Sequence, residues 1–257
     1  MTINFVKYQG TGNDFVMVDD RNLAFPETKE IIAKLCNRRF GIGADGLILL
    51  RNHKNYDFEM VYYNADGNPS SMCGNGGRCA VRFAESLGIF KGKTKFLAVD
   101  GEHSAEANST EIHLKMGKVY DISRHADYDF MNTGSPHYIT YVPDNEAVNV
   151  FFEGKEIRFS EEWAKRGGTN VNFVELLEGN KIYVRTYERG VEDETFSCGT
   201  GVTAAALSAH LRFGMKSPIF IKTIGGNLKV AFDEMIENVY LIGAAEKVFE
   251  GNFSVNG

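Results

Sequence analysis

Two cysteines, Cys73 and Cys198, each stand directly before a glycine-rich turn and a helical pattern. Met72–Ala84 reads MCGNGGRCAVRFA, and Ser197–Leu207 reads SCGTGVTAAAL. Each cysteine is therefore predicted to lie at the N-terminus of a helix, where free N–H groups and the helix dipole favour negative charge. A free thiol has a pKa of about 8.5, and a helix N-terminus lowers it to roughly 3.5–7.5. Both positions suit a reactive thiolate.

The other two cysteines are predicted to be structural. Cys79 lies inside the helical pattern that follows Cys73, and Cys36 falls on the apolar face of an earlier predicted helix. The four cysteines lack zinc-ribbon spacing, and no His/Cys/Asp/Glu cluster has metal-ligand spacing, so no metal site is predicted. In a reducing compartment the thiols should be free.

Composition excludes several classes of function. The 257 residues are 43% hydrophobic and 24% charged, with a formal net charge of −6. An acidic balance argues against a nucleic-acid-binding protein, which normally presents a basic face. There is no apolar run long enough to span a membrane, and the first ten residues lack a signal-peptide pattern. We expect a cytoplasmic protein without nucleic-acid or membrane partners.

One glycine-rich motif, Gly41–Gly46 (GIGADG), matches the dinucleotide-binding pattern G-x-G-x-x-G. That fingerprint must follow a strand and open a helix. Here a helical pattern precedes the motif and a strand pattern, Leu47–Leu50, follows it. The chain also lacks the Gly-Lys-Ser/Thr of a P-loop, so no nucleotide site is predicted.

The cysteine motif is part of an internal duplication. Cys73 and Cys198 are 125 residues apart, and other matching segments are offset by about 122 to 127 residues. This pattern predicts an α/β (α+β) fold with two pseudo-symmetric domains that face each other across a cleft. The expected domains are 1–117 together with 248–257, and 118–247. Lys118–Asp129 has no firm period and is interpreted as the linker, whereas Val248–Val255 is an extra strand that returns to the first domain.

A cleft of this kind would bring both thiols to one pocket, with further polar residues around them. His137 is notable among these, because it occupies the duplicated loop that carries Asn13-Asp14 in the first half. The other residues expected there are Asn13, Asn64, Ser135, Asn170, Glu188 and Arg189.

Two opposed thiols suit the inversion of a carbon stereocentre. Such a reaction needs a base on one face of the carbon and an acid on the other, so one cysteine is thiolate and the other thiol. Backbone N–H groups at Gly74-Asn75 and Gly199-Thr200 would stabilise the charge that develops on a substrate carboxylate. Nothing in this chemistry requires pyridoxal phosphate, and no cofactor is predicted.

The sequence resembles the diaminopimelate epimerase family over essentially its whole length. The motifs that carry the resemblance are GTGNDF (Gly10–Phe15), FGIGADG (Phe40–Gly46), NADG (Asn64–Gly67), MCGNGGRC (Met72–Cys79), GSPH (Gly134–His137), YERGVEDET (Tyr187–Thr195) and SCGTG (Ser197–Gly201). The resemblance implies a cofactor-independent epimerase that interconverts LL- and meso-2,6-diaminopimelate, in lysine and peptidoglycan-precursor synthesis. It also implies two domains, each a β-barrel-like sheet around a central helix, and a homodimer.

The resemblance assigns roles to individual residues. Cys73 and Cys198 are similar to the acid/base pair, and His137 and Glu188 match positions that tune it. The positions expected to contact substrate are Asn13, Asn64, Gly74, Asn75, Ser135, Asn170, Glu188, Arg189, Gly199 and Thr200. The sequence departs from the pattern of the family at two positions. Ser135 stands where many members have asparagine, and Gly46 stands where some have glutamine.

Three alternative functions remain open from the residues. Another two-thiol racemase, of the proline or hydroxyproline type, would not need Arg189 and the asparagines for a second charged end of the substrate. A hydrolase using one cysteine with His137 leaves the second cysteine helix unexplained. A non-catalytic amino-acid-binding protein of the same fold would be favoured by the loss of either cysteine, and both are present.

Overall fold

A computed structural model describes residues 2–255, in which the chain forms five helices and 17 strands. The chain divides into two compact units. Unit 1 comprises Met1–Leu114 and Gly243–Gly257, and unit 2 comprises Lys115–Ile242. Among the helices of residues 2–255, none combines the length and apolar character that a membrane span requires.

The five helices of residues 2–255 are interspersed among runs of strands. The elements up to residue 115 are β1 (Thr2–Gly10), β2 (Asn13–Asp19), α1 (Lys29–Cys36), β3 (Gly46–Arg51), β4 (Phe58–Asn64), α2 (Gly74–Ser86), β5 (Lys93–Ala98), β6 (Gly101–Ala107) and β7 (Ile112–Lys115). Those that follow are β8 (Tyr120–Arg124), β9 (Asp129–Asn132), β10 (Pro136–Tyr141), α3 (Val150–Arg158), α4 (Glu161–Lys165), β11 (Asn170–Leu177), β12 (Lys181–Glu188), β13 (Asp193–Thr195), α5 (Gly199–Phe213), β14 (Ile219–Thr223), β15 (Gly226–Phe232), β16 (Val239–Gly243) and β17 (Glu246–Ser254).

The two units repeat one pattern of strand pairing. In unit 1 the order is β17-β1-β2-β3-β4-β5-β6-β7, with β2–β3 and β4–β5 parallel and the other neighbours antiparallel. In unit 2 the order is β8-β9-β10-β11-β12-β14-β15-β16, with β10–β11 and β12–β14 parallel and the others antiparallel. The predicted α/β fold with two repeated halves is therefore confirmed. The last strand, β17, pairs with β1 in unit 1.

Each unit packs its sheet around one helix that begins after a cysteine. Residues 74–81 of α2 are all buried and contact the core that Phe15, Ile48 and Phe96 build on the strands. In α5 every residue from Val202 to Ala209 is buried, and the helix is rich in alanine. A helix that is apolar all round belongs in a core. Small side chains let the surrounding strands approach it closely.

The interpretation of Lys118–Asp129 as a linker is wrong, because the segment contains β8 and ends at the first residue of β9. Four of the five β8 residues are exposed, so the strand has no apolar side to give the alternation by which strands are recognised. Its strand conformation comes from backbone pairing with β9.

Candidate active site

In unit 1, Cys73 is the N-cap of α2. Its backbone is extended (φ −111°, ψ 132°), and its carbonyl accepts the first helical hydrogen bond, from Gly77 N at 2.7 Å. The N–H groups of Gly74, Asn75 and Gly76 therefore begin the helix as donors without intrahelical acceptors. A Cβ on Gly76 would meet Ile48 Cδ1 at 3.2 Å, so the start of the helix lies directly on the sheet.

Asn13 joins this thiol to a carboxylate that the sequence did not single out. The Cys73 thiol donates to Asn13 Oδ1 at 3.7 Å, and Asn13 Nδ2 donates to Asp45 Oδ2 at 2.5 Å. Asp45 thus fixes which end of the Asn13 amide faces the sulfur. It lies in the GIGADG loop, which thereby places an acceptor against Asn13.

Asp45 is itself held by a charged cluster. Arg38 donates to Asp45 Oδ1 at 2.7 Å and to both oxygens of Asp14, and Lys7 pairs with Asp14 at 2.8 Å. Burial alone would raise the pKa of Asp14, but the hydrogen bonds and charges of Arg38 and Lys7 hold it at about 2. Asp14 is therefore ionised at neutral pH and keeps its ion pairs with Arg38 and Lys7.

Arg78, one turn into α2, is fully buried and forms no ion pair with a carboxylate of residues 2–255. Side chains on a helix lean toward its N-terminus. The guanidinium accordingly donates to Gly74 O at 3.3 Å, Asn75 Oδ1 at 3.0 Å and Thr11 Oγ1 at 2.5 Å. Thr11 has a left-handed backbone (φ 56°), so Arg78 ties a strained turn to the helix that carries the thiol.

Gly46 and Asn64 lie opposite each other where β3 and β4 pair. A Cβ at Gly46 would approach Tyr63 O to 2.5 Å, which explains why this chain has glycine there. Asn64 is the last residue of β4 and is exposed, so its amide is open to a ligand.

In unit 2, Cys198 is the N-cap of α5 in almost the same conformation (φ −106°, ψ 112°). Its carbonyl accepts from Val202 N at 2.9 Å, so Gly199 and Thr200 take the places that Gly74 and Asn75 have in α2. The prediction that both cysteines lie at helix N-termini is confirmed by these two caps.

His137 connects to Cys198 through Thr200. His137 Nε2 lies 2.9 Å from Thr200 Oγ1, which in turn lies 3.5 Å from Cys198 Sγ. The imidazole is fully buried in β10, and burial together with the charge of Arg189 lowers its pKa to about 3. It is a neutral hydrogen-bonding group.

Asn170 organises the end of the sheet next to His137. Its amide donates to Ser135 Oγ and to Pro136 O, both at 2.8 Å, and its Oδ1 accepts from Arg189 N at 2.9 Å. The side chain of Ser135 is shorter than the asparagine that many family members have here, but Asn170 still holds it by a hydrogen bond.

Glu188 and Arg189 follow one another at the end of β12. Glu188 Oε2 accepts from Thr195 Oγ1 at 2.9 Å. Arg189 is exposed, and its guanidinium donates to Gly167 O at 3.4 Å. The predicted polar residues thus divide between the two units. Unit 1 holds Asn13, Asn64, Gly74 and Asn75 with Cys73, and unit 2 holds Ser135, His137, Asn170, Glu188, Arg189, Gly199 and Thr200 with Cys198.

Four residues of these groups were missed from the sequence: Asp45, Arg78, Asn172 and Thr186. Arg78 carried a usable signal, because it is the one charged residue within GNGGRCAV, a run of otherwise small or apolar residues at the start of a helix. Asn172 and Thr186 act through contacts between strands, and Asp45 acts from a loop, and the sequence pattern encodes neither kind of contact. Within residues 2–255, no group of three or more metal-ligating side chains is close enough together to hold an ion.

Comparison with known proteins gives consistent results. The family model for diaminopimelate epimerase matches residues 5–122 and 130–248. The diaminopimelate epimerase of Flavobacterium psychrophilum is 50% identical over 250 residues, covering 95% of this chain and 97% of the relative. That of Aquifex aeolicus is 41% identical, covering 98% of each chain.

Solved structures share the fold at low identity. A phenazine biosynthesis protein of the PhzF family from Bacillus anthracis superposes with a TM-score of 0.77 at 15% identity, over 99% of this chain and all of that one. A hydroxyproline epimerase from Agrobacterium vitis, with bound trans-4-hydroxy-L-proline, gives 0.67 at 11% identity, over 98% and 92%. Since the family model matches nearly the whole chain, once in each half, this chain belongs to the diaminopimelate epimerase family.

Proposed function

We propose that this protein interconverts LL- and meso-2,6-diaminopimelate, using Cys73 and Cys198 as the acid/base pair and no pyridoxal phosphate. The observation that carries the proposal is the pair of equivalent N-cap cysteines in the two repeated units. Family membership supports the substrate, because the relatives carry that name.

The reaction is a proton exchange at one α-carbon. One cysteine, as thiolate, removes the α-proton from one face. The other, as thiol, delivers its own proton to the opposite face. The electron pair of the broken C–H bond passes into the adjacent carboxylate and returns to form the new bond. Each turnover leaves the two cysteines with exchanged protonation states, and exchange with solvent restores them.

The carboxylate must carry extra negative charge during this exchange. The N–H groups of Gly74, Asn75, Gly199 and Thr200 begin helices and have no intrahelical acceptor. Donors of this kind, fixed before the reaction, stabilise developing charge without reorganising. We assign these four residues to the reacting carboxylate.

The rest of the substrate needs partners for a second ammonium and a second carboxylate. Arg189 is exposed and can grip a carboxylate with two parallel hydrogen bonds. Asn13, Asn64 and Glu188 supply carbonyl and carboxylate oxygens suited to ammonium groups. Ser135 and Asn170 hold this part of the site in shape and contact the substrate at its edge.

The test is to incubate LL-diaminopimelate with the purified protein alone and to separate the stereoisomers. We expect meso-diaminopimelate to form without added cofactor, and meso substrate to give the LL isomer. The Cys36→Ala variant, which changes a buried thiol of α1, serves as the matched control and should remain active. Absence of conversion in both directions by the folded wild type would refute the proposal.

A second candidate is racemisation of proline or hydroxyproline, because solved enzymes of that kind share the fold. Likeness at 11–13% identity concerns the fold alone. The same assay with L-proline and trans-4-hydroxy-L-proline separates the two candidates, and we expect no conversion of either.

We further propose that the protein is a cytoplasmic homodimer, as the family resemblance implies. Analytical ultracentrifugation of the full chain would test the dimer: a single species at the monomer mass of 28.6 kDa across micromolar concentrations would exclude it.

A further inference from the structure

The residues beneath the two cysteine helices correspond by sheet register. In the parallel pair β2–β3, Phe15 lies opposite Gly46 and Met17 opposite Ile48. In β10–β11, His137 lies opposite Asn170 and Ile139 opposite Asn172. His137 therefore corresponds to Phe15, and Asn172 to Ile48.

The glycines of the two helices support this correspondence. An added Cβ on Gly76 would meet Ile48 and Phe15, whereas one on Gly201 would collide with Asn172 Oδ1. The next strand continues the pattern, because Ile48 pairs with Tyr62 and Asn172 pairs with Thr186.

The chemistry beneath the two thiols nevertheless differs. Unit 1 has Phe15, Ile48 and Tyr62 below the start of α2. Unit 2 has His137, Asn172 and Thr186 below the start of α5, all of them buried. A buried polar group is costly unless its hydrogen bonds are made. These three side chains satisfy one another and thereby form a directed chain.

The direction of this chain of hydrogen bonds is set at Asn172. Its Nδ2 lies 2.9 Å from the backbone carbonyl of Tyr138, which can only accept. Its Oδ1 lies 3.0 Å from Thr186 Oγ1, which donates to it. The amide therefore has one orientation, and its Nδ2 also donates to His137 Nδ1 at 3.1 Å.

The donor and the acceptor of each remaining hydrogen bond follow from counting protons. Since His137 Nδ1 accepts, the neutral ring carries its proton on Nε2 and donates to Thr200 Oγ1, 2.9 Å away. The Thr200 hydroxyl has one proton, and its other partner is Cys198 Sγ at 3.5 Å. The chain thus ends with a hydrogen donated to sulfur.

We propose that Asn172 is a positioning residue that fixes the direction of the His137–Thr200 chain, so that the chain stabilises the thiolate form of Cys198. This inference extends the proposed function, on which the acid/base role of Cys198 rests. The chain also leaves the proton of a Cys198 thiol directed away from Thr200, where it can be transferred.

The surroundings of Cys73 differ from those of Cys198. A nearby cation takes the place of the chain of hydrogen bonds that ends at the Cys198 sulfur. The Cys73 thiol faces Asn13 Oδ1, an acceptor, while the charge of the buried Arg78 acts through space. Asp45, Asp14, Arg38 and Lys7 lie beyond Asn13. The charged groups next to the chain of Cys198 are Glu188 and Arg189. None of these groups changes in the variants below.

The experiment measures alkylation of each thiol by iodoacetamide from pH 4 to 10, with peptide mass spectrometry of Cys73 and Cys198 in the same sample. The variant Asn172→Leu removes the amide at a position where unit 1 carries Ile48. We expect the pH midpoint for Cys198 to rise by at least one unit, which is a roughly tenfold lower rate at pH 6. The Cys73 profile should not move.

Further variants separate positioning from loosened packing. Thr200→Val keeps the shape but removes the last hydroxyl, and should shift Cys198 as far as Asn172→Leu does. His137→Gln retains a donor toward Thr200 and should restore most of the wild-type midpoint relative to His137→Leu. The matched control, Ile48→Val, alters packing under the other helix and should shift neither thiol.

The alkylation experiment needs no substrate. A negative result for the role of Asn172 is therefore distinct from a negative result in the epimerase assay. An unchanged Cys198 midpoint in both Asn172→Leu and Thr200→Val overturns the inference. An equal shift of both thiols in Asn172→Leu would also overturn it, because that indicates general loosening. If Asn172→Leu does not fold, Asn172→Ala, which also removes the amide, takes its place beside Thr200→Val.

Discussion

At the scale of single residues, the two N-cap cysteines divide the four thiols of the chain into two classes. Burial raises the pKa of Cys36 and of Cys79 to about 12, so neither ionises at neutral pH. Cys73 and Cys198 begin helices instead.

We expect Cys73→Ala and Cys198→Ala each to lower kcat for diaminopimelate epimerisation by at least about 10²-fold, since each removes an acid or base. Cys36→Ala should lose less than half of the activity. Steady-state assays on variants with unchanged circular dichroism would check this. A Cys198→Ala variant with a tenth of the wild-type rate would contradict the two-thiol assignment.

Arg189 carries a second prediction at this scale. A guanidinium presents two parallel donors to a carboxylate, whereas a lysine ammonium is a point charge. Arg189→Lys should therefore raise KM for diaminopimelate at least about tenfold, the loss of one charge-assisted hydrogen bond at about 1.4 kcal/mol. Arg166→Lys, a change at another exposed arginine of unit 2, is the control and should be neutral. Equal KM values for the two variants would argue against a carboxylate at Arg189.

At the scale of elements, the start of α2 depends on Arg78. Its guanidinium holds Thr11, Gly74 and Asn75 together, and its charge lies close to the Cys73 sulfur. A fixed cation favours an ionised thiol. We expect Arg78→Gln to shift the alkylation midpoint of Cys73 to higher pH by about one unit, with Cys198 unmoved. The same peptide-mapping experiment measures it, and a Cys73 profile identical to the wild type would exclude the electrostatic role.

The helices and strands also show which features of the fold and of the site could be predicted from the sequence. The cysteine caps and the repeat were readable because N-cap position, glycine turns and apolar periodicity are local properties. The role of Asn172 could not be predicted from the sequence. It depends on the two neighbouring strands, which place Tyr138 O and Thr186 Oγ1 at the two ends of the Asn172 amide. Asp45 was considered only as part of the GIGADG motif, with no role of its own. Strand β8 was missed because its side chains are mostly exposed and only its backbone pairing defines it.

At the scale of the whole molecule, buried His137 couples stability to pH. Burial and the Arg189 charge lower its pKa from 6.5 to about 3 in the folded protein. Between these values the unfolded chain binds a proton that the folded protein does not. The free energy of unfolding therefore falls as pH drops from 6.5 toward 3, by up to about 1.4 kcal/mol per pH unit.

His137→Gln removes this titration, so its stability should fall less than that of the wild type between pH 6.5 and 4.5. Urea unfolding at a series of pH values would measure the two slopes. That window lies above the range in which Asp14, with a pKa of about 2, begins to lose its ion pairs. Parallel slopes for the two proteins would show that His137 takes up its proton in the folded protein over the same pH range as in the unfolded chain.

Isotope transfer tests how the whole enzyme moves protons. In deuterated water, the cysteine that starts as a thiol is already deuterated, whereas the other removes hydrogen from the substrate and holds it on its own side. Product formed at low conversion should therefore carry deuterium at the inverted carbon. The remaining substrate should stay almost unlabelled, because reversal returns the original hydrogen.

A single base that reached both faces would instead carry much of the substrate's own hydrogen into the product. Mass spectrometry of both isomers, starting once from LL and once from meso substrate, distinguishes the two mechanisms. The Arg189→Lys variant is a useful companion, since weaker binding at the distal end should slow turnover without changing which isomer is labelled. Largely hydrogen-bearing product in either direction would refute the two-thiol mechanism even if diaminopimelate is the substrate.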